Sequence, residues 1–446
     1  MAEKDQTETI LESEEGLEGY SPHGLAVYIT NQCFPGGCEH CILSCSVSPP
    51  EGIHVIEEPS MLKAIDEARD AGLDTVYFPG GEPFLHFDIL LKGVRRSFEN
   101  GLNVSVETNG IWAQSLEKAR NCLDAIGEIA KDFPSNLLII SISLDEFHEK
   151  HIPFENLAHV VRAHFEKPDT ENMPLSMHQM NTPNTSETTE RFLDTLEKVG
   201  EMKVGYISVN GLAHVSLVEQ TAQIKAPDLG SIVKGLIDRD LITIAQAMQL
   251  NDMQFSSLPE AGEVLNAMIK ENTPYEKLGL LEQTGSGYKC VLIIYSKERV
   301  FSLTGNDISL CGKAANLRKD EEFMRWYKEN AGFGVVKQAH VVCIGPDSNY
   351  YVTPGHANSR RHPIAPSSET TLSAAIEMAR QDVICALLSH GLKDELLPFI
   401  MAQDPELGEA LSDETVSWVE FGHRVFERED LVDVLRKFVK VKTQTA

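Results

Sequence analysis

Four cysteines stand close together in a short glycine-rich stretch near the start of the chain. Their positions are Cys33, Cys38, Cys41 and Cys45, with Gly36 and Gly37 between the first two. Thiolates are soft ligands that favour zinc and iron–sulphur clusters, and glycines let the backbone fold closely around a compact inorganic group. The stretch therefore predicts a metal site. Spacing alone leaves open a four-cysteine structural zinc site, an iron–sulphur site, or buried cysteines without a metal.

Apolar patterns around this stretch predict alternating strands and helices. A buried strand at 25–30 leads into the cysteines, and a helical pattern at 59–72 precedes a strand at 75–78. The alternation continues with strands near 103–107, 137–143, 175–180 and 204–209, and with helices near 87–100, 114–131, 155–167 and 187–199. Parallel neighbours need crossover helices, so six such strands predict a parallel sheet or partial barrel. Chemistry in such folds lies at the carboxyl ends of the strands.

The cysteine stretch resembles the cluster motif of the radical SAM superfamily. That family has three cysteines spaced C-x3-C-x2-C after its first barrel strand, whereas Cys33, Cys38 and Cys41 read C-x4-C-x2-C. His40 stands where the family commonly has an aromatic residue. The resemblance implies a [4Fe-4S] cluster on these three cysteines, with one iron open to S-adenosylmethionine (SAM). It leaves Cys45 as a core or surface thiol, or as the rival fourth ligand of a zinc site.

Motifs at later strand ends extend the resemblance in the same order along the chain. The segment from Gly80 to Pro83 is similar to the family's Gly-Gly-Glu-Pro, which binds the methionine amino group of SAM, and a carboxylate suits an ammonium group. Segments 108–110 and 143–145 are similar to its Thr-Asn-Gly and Ser-x-Asp. The implied cofactor-binding residues are His40, Gly80, Gly81, Glu82, Thr108, Asn109, Ser143 and Asn181.

His148 follows the fourth predicted strand and is a candidate catalytic residue. An imidazole titrates near neutrality, so it could donate or accept a proton there. The alternative interpretation is a histidine in an ordinary polar loop. The sequence leaves both open.

A second group of cysteines lies in the later part of the chain. Cys290, Gly305, Cys311 and Cys343 are spaced in a way that is similar to the twitch or SPASM extension of radical SAM enzymes. The resemblance implies an auxiliary [4Fe-4S] cluster on the three cysteines. Isolated cysteines filling a small core are the alternative.

These patterns together predict an α/β fold: a partial (β/α)6 TIM-like barrel with a helical bridge, a small C-terminal α+β cysteine-containing region and a helical tail. The predicted divisions are an acidic start at 1–20, the barrel at 21–215, the bridge at 216–284, the twitch-like region at 285–365 and the tail at 366–446.

Composition narrows the classes of partner. The 446 residues include 39 basic and 67 acidic side chains, which gives a formal charge of −28. Phosphate backbones and anionic membrane surfaces repel such a chain, so we expect neither nucleic acid nor membrane as a partner. The acidic start is unlike a signal peptide, and no apolar run reaches the roughly 18 residues of a membrane span. We therefore expect a cytoplasmic protein.

The resemblance implies an enzyme that reductively cleaves SAM to a 5′-deoxyadenosyl radical, which abstracts hydrogen from a substrate. It also implies a one-electron donor such as flavodoxin or ferredoxin. No winged-helix segment for a leader peptide is evident at the acidic start, so we expect a small-molecule substrate. The alternatives are a peptide-modifying maturase and a non-catalytic structural zinc or iron–sulphur protein.

Overall fold

The computed structural model describes most of the first 200 residues and parts of the remainder. The described residues are 20–34, 38–41, 43–50, 52–166, 172–180, 182–200, 205–210, 289–296, 299–306, 312–330, 341–352, 362–381, 393–413, 416, 420–421, 424–425, 427–428 and 430–432.

Strand–helix units build the first part of the fold. Each strand is short, and the helices turn an apolar face towards the sheet, which in α1 comprises Met61, Ala64, Ile65 and Ala68. In chain order the elements are β1 (Gly24–Val27), α1 (Glu58–Ala68), β2 (Thr75–Phe78), α2 (Phe87–Glu99), β3 (Asn103–Thr108), α3 (Leu116–Asp132), β4 (Leu138–Ser143), α4 (Glu146–Glu149), α5 (Phe154–Phe165), β5 (Leu175–Met180) and α6 (Thr185–Gly200). Apart from the short α4, which the apolar pattern does not predict, they agree to within a few residues with the predicted elements.

Strands β1 to β5 form a parallel sheet in sequence order. The register places Leu25 opposite Val76, and Val76 opposite Val104. Because neighbouring strands run in the same direction, their carboxyl ends lie along one edge, and that edge carries the cysteine stretch and the motifs at 80–83, 108–110 and 143–145. The prediction of an α/β fold on a parallel sheet is confirmed.

A hairpin from the second half of the chain extends this sheet beyond β5. Strands β7 (Lys289–Ser296) and β8 (Arg299–Asn306) pair antiparallel, and β8 pairs parallel with β5. Strand β6 (Gly205–Asn210) pairs antiparallel with β7 and is the last strand at this end. The sixth predicted strand is therefore present, but the hairpin separates it from β5.

Three short strands extend the sheet at the other end. Strand β9 (Val341–Ile344) runs parallel to β1, and β10 (Asn349–Tyr351) and β11 (Ala365–Pro366) follow it antiparallel. The described strands of the predicted region 285–365 thus lie in one eleven-stranded sheet with the barrel strands. The predicted domain boundaries stay predictions, and the predicted bridge at 216–284 lies outside the described residues.

The described part of the last segment is largely helical, as its apolar pattern predicts. A 3-10 helix (Gly312–Lys319) and α7 (Glu321–Asn330) precede it, and it contains α8 (Leu372–Arg380), α9 (Lys393–Gln403) and α10 (Pro405–Leu411). The fully buried carboxylate of Glu420 accepts hydrogen bonds from Arg318 Nε at 2.8 Å and Nη2 at 2.6 Å. Among the described helices, none combines the length and apolar character that crossing a membrane requires.

We expect Glu420→Ala to lower the free energy of unfolding by about 3 kcal/mol, because it leaves the half-buried guanidinium of Arg318 without its carboxylate. Urea denaturation would measure the change. Glu377→Ala is the matched control: its ion pair with Arg380 is exposed and contributes less than about 1 kcal/mol. Equal losses in the two variants would contradict the expectation.

Candidate functional site

The cysteine stretch forms a closed loop at the carboxyl end of β1. The backbone N–H of Cys33 donates to the carbonyl oxygen of Ser46 at 3.0 Å, which joins the two ends of the loop. Within it, the N–H of Cys41 donates to the carbonyl of Cys38 at 3.2 Å. The side chains of Cys38 and Cys45 are buried, and those of Cys33 and Cys41 are partly exposed. The loop therefore presents thiols from a backbone that is fixed at both ends.

The Gly-Gly turn after β2 packs directly on this loop. Gly80 and Gly81 both have φ of +61°, in the left-handed region that glycine tolerates. The N–H of Gly81 donates to Cys45 Sγ at 3.2 Å, and the N–H of Glu82 donates to the carbonyl of Gln32 at 2.9 Å. The turn consequently has no space for side chains and is tied to both β1 and the cysteine loop.

The carboxylate of Glu82 is fully buried and bonded to the protein itself. Oε1 accepts from the N–H of Phe84 at 3.1 Å and from the hydroxyl of Thr108 at 2.8 Å, and Oε2 accepts from the N–H of Asn109 at 2.9 Å. Burial raises the pKa of Glu82 to about 7. The motif's carboxylate thus connects the end of β2 to the end of β3.

The raised pKa of Glu82 has a consequence for stability that a variant can isolate. Between the usual value of 4.5 and about 7, the folded protein retains a proton that the unfolded chain has released. The free energy of unfolding therefore falls as the pH rises through this window, by about 3 kcal/mol in total. We expect Glu82→Gln to remove this fall, as measured by urea denaturation at several pH values. An unchanged pH dependence would contradict it.

Asn109 links the end of β3 to the first cysteine. Its Nδ2 donates to Cys33 Sγ at 3.4 Å and to the carbonyl oxygen of Phe34 at 3.1 Å, while its Oδ1 accepts from the N–H of Ile111 at 2.9 Å. Only 6% of Asn109 is exposed. Thr108, also buried, accepts a hydrogen bond from Trp112 Nε1 at 2.8 Å. Both predicted residues thus lie at the site, where they organise the strand end and the loop.

The end of β4 supplies a second connection to the loop. Asp145, 2% exposed, caps α4 and accepts a hydrogen bond from His148 Nδ1 at 2.9 Å. His148 also forms a hydrogen bond to the Cys38 thiol. Burial by itself would lower the pKa of His148, but the adjacent carboxylate of Asp145 raises this pKa well above its usual range. Ser143, which ends β4, is partly buried.

His40 completes a compact polar group with Asp145 and His148. The three residues offer one ligating atom each, all within 4.8 Å of one another. His40 Nδ1 is buried without a hydrogen-bond partner, and burial lowers the pKa of this imidazole to about 4. Two imidazoles and a carboxylate could hold a divalent transition metal. The same residues lie against the predicted cluster loop, where ring contacts join His40 to His148 and Phe147.

The cysteines differ in how readily they could become ligands. A hydrogen bond from Cys45 lowers the pKa of Cys41 to about 6, and this same bond raises the pKa of Cys45. Burial raises the pKa of Cys33. Since thiolates and not thiols bind metals, the lowered pKa of Cys41 favours ligation and the raised pKa values of Cys33 and Cys45 oppose it.

The spacing of the sulphurs bears on which metal group would fit. In a tetrahedral four-thiolate zinc site the sulphurs lie about 3.8 Å apart. Among the described residues, the histidine–aspartate group is the only one that brings three ligating atoms within 4.8 Å, and the cysteines of the loop do not. In the described part of the chain the loop thiols are therefore not arranged as a closed tetrahedral zinc site.

A helical segment from the second half of the chain covers the loop. The N–H of Lys313 donates to the carbonyl oxygen of Cys41 at 3.1 Å, and its ammonium group donates to the carbonyl of Cys45. An apolar cluster beneath this segment consists of Cys38, Phe147, Ala314, Phe323 and Tyr327. Sequence reasoning assigned Asp145 and Lys313 no role at the site. The capping motif signals Asp145, but nothing local signals Lys313.

Two of the three predicted auxiliary ligands, Cys290 and Cys343, lie in strands of the sheet. Cys343 is fully buried in β9 beside Ala26 and Tyr28, and burial raises its pKa. Cys290 lies in β7, and six strands separate β7 from β9 in the order of the sheet. Cys311 and Asn181 lie outside the described residues. The auxiliary cluster stays a prediction.

The chain is similar in sequence to a curated bacterial protein. The chain is 22% identical over 163 residues to the "Putative peptide biosynthesis protein YydG" of Bacillus subtilis (strain 168). The matched region is 35% of this chain and 47% of YydG, so the chain spans about half the length of this curated relative. No protein-family model matches. The sequence resembles the radical SAM superfamily.

Two solved structures align with the chain at low similarity. HydG, "a maturase of the [FeFe]-hydrogenase", aligns over 97% of this chain and 85% of its own with 9% identity and a TM-score of 0.29. Endoglucanase Cel5A of Pseudomonas stutzeri aligns over 40% and 74% with 14% identity and a TM-score of 0.20. The parallel order of strands β1 to β5 defines the α/β fold independently of these alignments.

Proposed function

We propose that the chain is a radical SAM enzyme whose cluster is held by Cys33, Cys38 and Cys41. The observation that carries the proposal is the chain of hydrogen bonds from Glu82 through Asn109 to Cys33 Sγ. Two motifs that resemble the family's SAM-binding segments are thereby bonded to each other and to the cysteine loop. Such an arrangement supports one composite site at the carboxyl edge of the sheet.

When bound, the [4Fe-4S] cluster and SAM would supply reductive cleavage to a 5′-deoxyadenosyl radical that abstracts hydrogen from the substrate. The chain's own residues hold and shield these groups. The turn at Gly80 and Gly81 allows close approach of the backbone, and His40 lies beside the ligands on the same loop. The segment that begins at Lys313 covers the loop with apolar side chains, which supports exclusion of water from a reactive site.

A peptide is the substrate class that the comparison supports, because the relative YydG is described as a peptide biosynthesis protein. The small-molecule substrate predicted from the sequence stays a prediction, as do the flavodoxin or ferredoxin donor and the cytoplasmic location. Candidate peptides and metabolites can be separated by mass spectrometry of the products formed with SAM.

Anaerobic iron–sulphur reconstitution, followed by dithionite reduction with SAM, tests the proposed reaction. We expect about four irons per chain for one cluster, and formation of 5′-deoxyadenosine. A variant with Cys33, Cys38 and Cys41 all replaced by Ala should lose both. Zinc in place of iron, with no cleavage of SAM, would refute the proposal and favour the non-catalytic metal protein.

A further inference from the structure

Asn109 was predicted to contact SAM, but its amide is directed at the cysteine loop. Its Oδ1 accepts the N–H of Ile111 at 2.9 Å, and this bond fixes the orientation of the side-chain amide. The Nδ2 group must then face the loop, where its two hydrogens meet Cys33 Sγ at 3.4 Å and the carbonyl oxygen of Phe34 at 3.1 Å. Each polar atom of the side chain is thereby used.

The position of Asn109 is determined by a buried carboxylate. Its backbone N–H is bonded to Glu82 Oε2 at 2.9 Å, and Glu82 is fully buried. With only 6% of Asn109 exposed, water has little access to compete for the sulphur. The side-chain amide of Asn109 is therefore held against the sulphur of Cys33 before any cluster binds.

We infer that Asn109 is a positioning residue that raises the reduction potential of the cluster. It does so by donating a hydrogen bond to the sulphur of Cys33 when that sulphur binds iron, so the inference rests on the proposed function. Reduction adds one electron to the cluster and increases the negative charge on its thiolates. An N–H donor stabilises that added charge, and hydrogen bonds to ligand sulphurs are among the factors that set cluster potentials.

The test is an EPR-monitored redox titration of the reconstituted protein in the absence of SAM. We expect Asn109→Ala to lower the ratio of reduced to oxidised cluster about ten-fold at a fixed solution potential, a shift of about 59 mV for one electron. Asn109→Asp retains the acceptor for Ile111 but offers no donor when ionised, so it should shift the midpoint in the same direction and further.

Asn136→Ala is the matched control. Asn136 is also buried, and its Nδ2 donates to the carbonyl of Leu102 at 3.0 Å, away from the cysteines. This variant should keep the wild-type midpoint. If a variant at Asn109 retains iron and has the wild-type midpoint potential, the inference is overturned while the proposed function stands. Changed SAM affinity with no shift of the midpoint would do so as well and would favour direct SAM contact. Wild-type protein that assembles no cluster would overturn the proposed function and the inference with it.

Discussion

Replacing Cys33, Cys38 or Cys41 singly by Ala is expected to abolish retention of iron after reconstitution, whereas Cys45→Ala retains it. The three ligands of a cubane cluster each bind one iron, and the loss of one leaves that iron open to solvent. Cys45 differs because its thiol is hydrogen-bonded to Cys41 and its sulphur accepts the N–H of Gly81 at 3.2 Å. Iron per chain, measured after removal of unbound metal, distinguishes the outcomes.

Cys45→Ala should still affect stability. It leaves the Gly81 N–H without an acceptor, which costs about 1–3 kcal/mol. Cys122→Ala, a half-buried cysteine in α3 outside the loop, is the control for removing a thiol. Loss of metal in the Cys45 variant, as complete as in the Cys41 variant, would instead support a closed four-cysteine site.

Gly81→Ala is expected to cost about 2–5 kcal/mol of unfolding free energy and to prevent cluster assembly. A Cβ at this position would lie 2.3 Å from the carbonyl oxygen of Thr30 and 2.7 Å from that of Gln32. Both are backbone atoms of the segment that leads into the cysteine loop, so relief requires moving the loop. Left-handed strain adds about 1–2 kcal/mol to the steric cost.

Gly72→Ala is the control that separates the steric cost of Gly81→Ala from its conformational cost. Gly72 also has positive φ, +81°, but a Cβ there would meet nothing within 4 Å. It should therefore lose only the conformational contribution of about 1–2 kcal/mol and should still bind iron. Thermal or urea unfolding of both apo variants, with iron content after reconstitution, makes the comparison. Similar losses of stability in the two would show that packing of the turn on the loop contributes little.

The amino-acid sequence by itself determined the elements and the order of the motifs. Apart from α4, the helices and strands up to residue 210 follow from local apolar periodicity. The motifs at 33–41, 80–83, 108–110 and 143–145 each begin at or after the end of a strand. Since parallel strands end at one edge, these local facts already predict that the motifs meet there.

Only the tertiary structure decided how the motifs are used. Glu82 and Asn109 are 27 residues apart, and Asn109 and Cys33 are 76 apart, so no local pattern reveals that they bond to each other. The placement of Lys313 on the cysteine loop and of Cys343 beside β1 depends on contacts between segments hundreds of residues apart. Periodicity records which face of an element is buried, but not which distant segment covers it. The roles of these side chains therefore become visible only when the packed sheet brings the segments together.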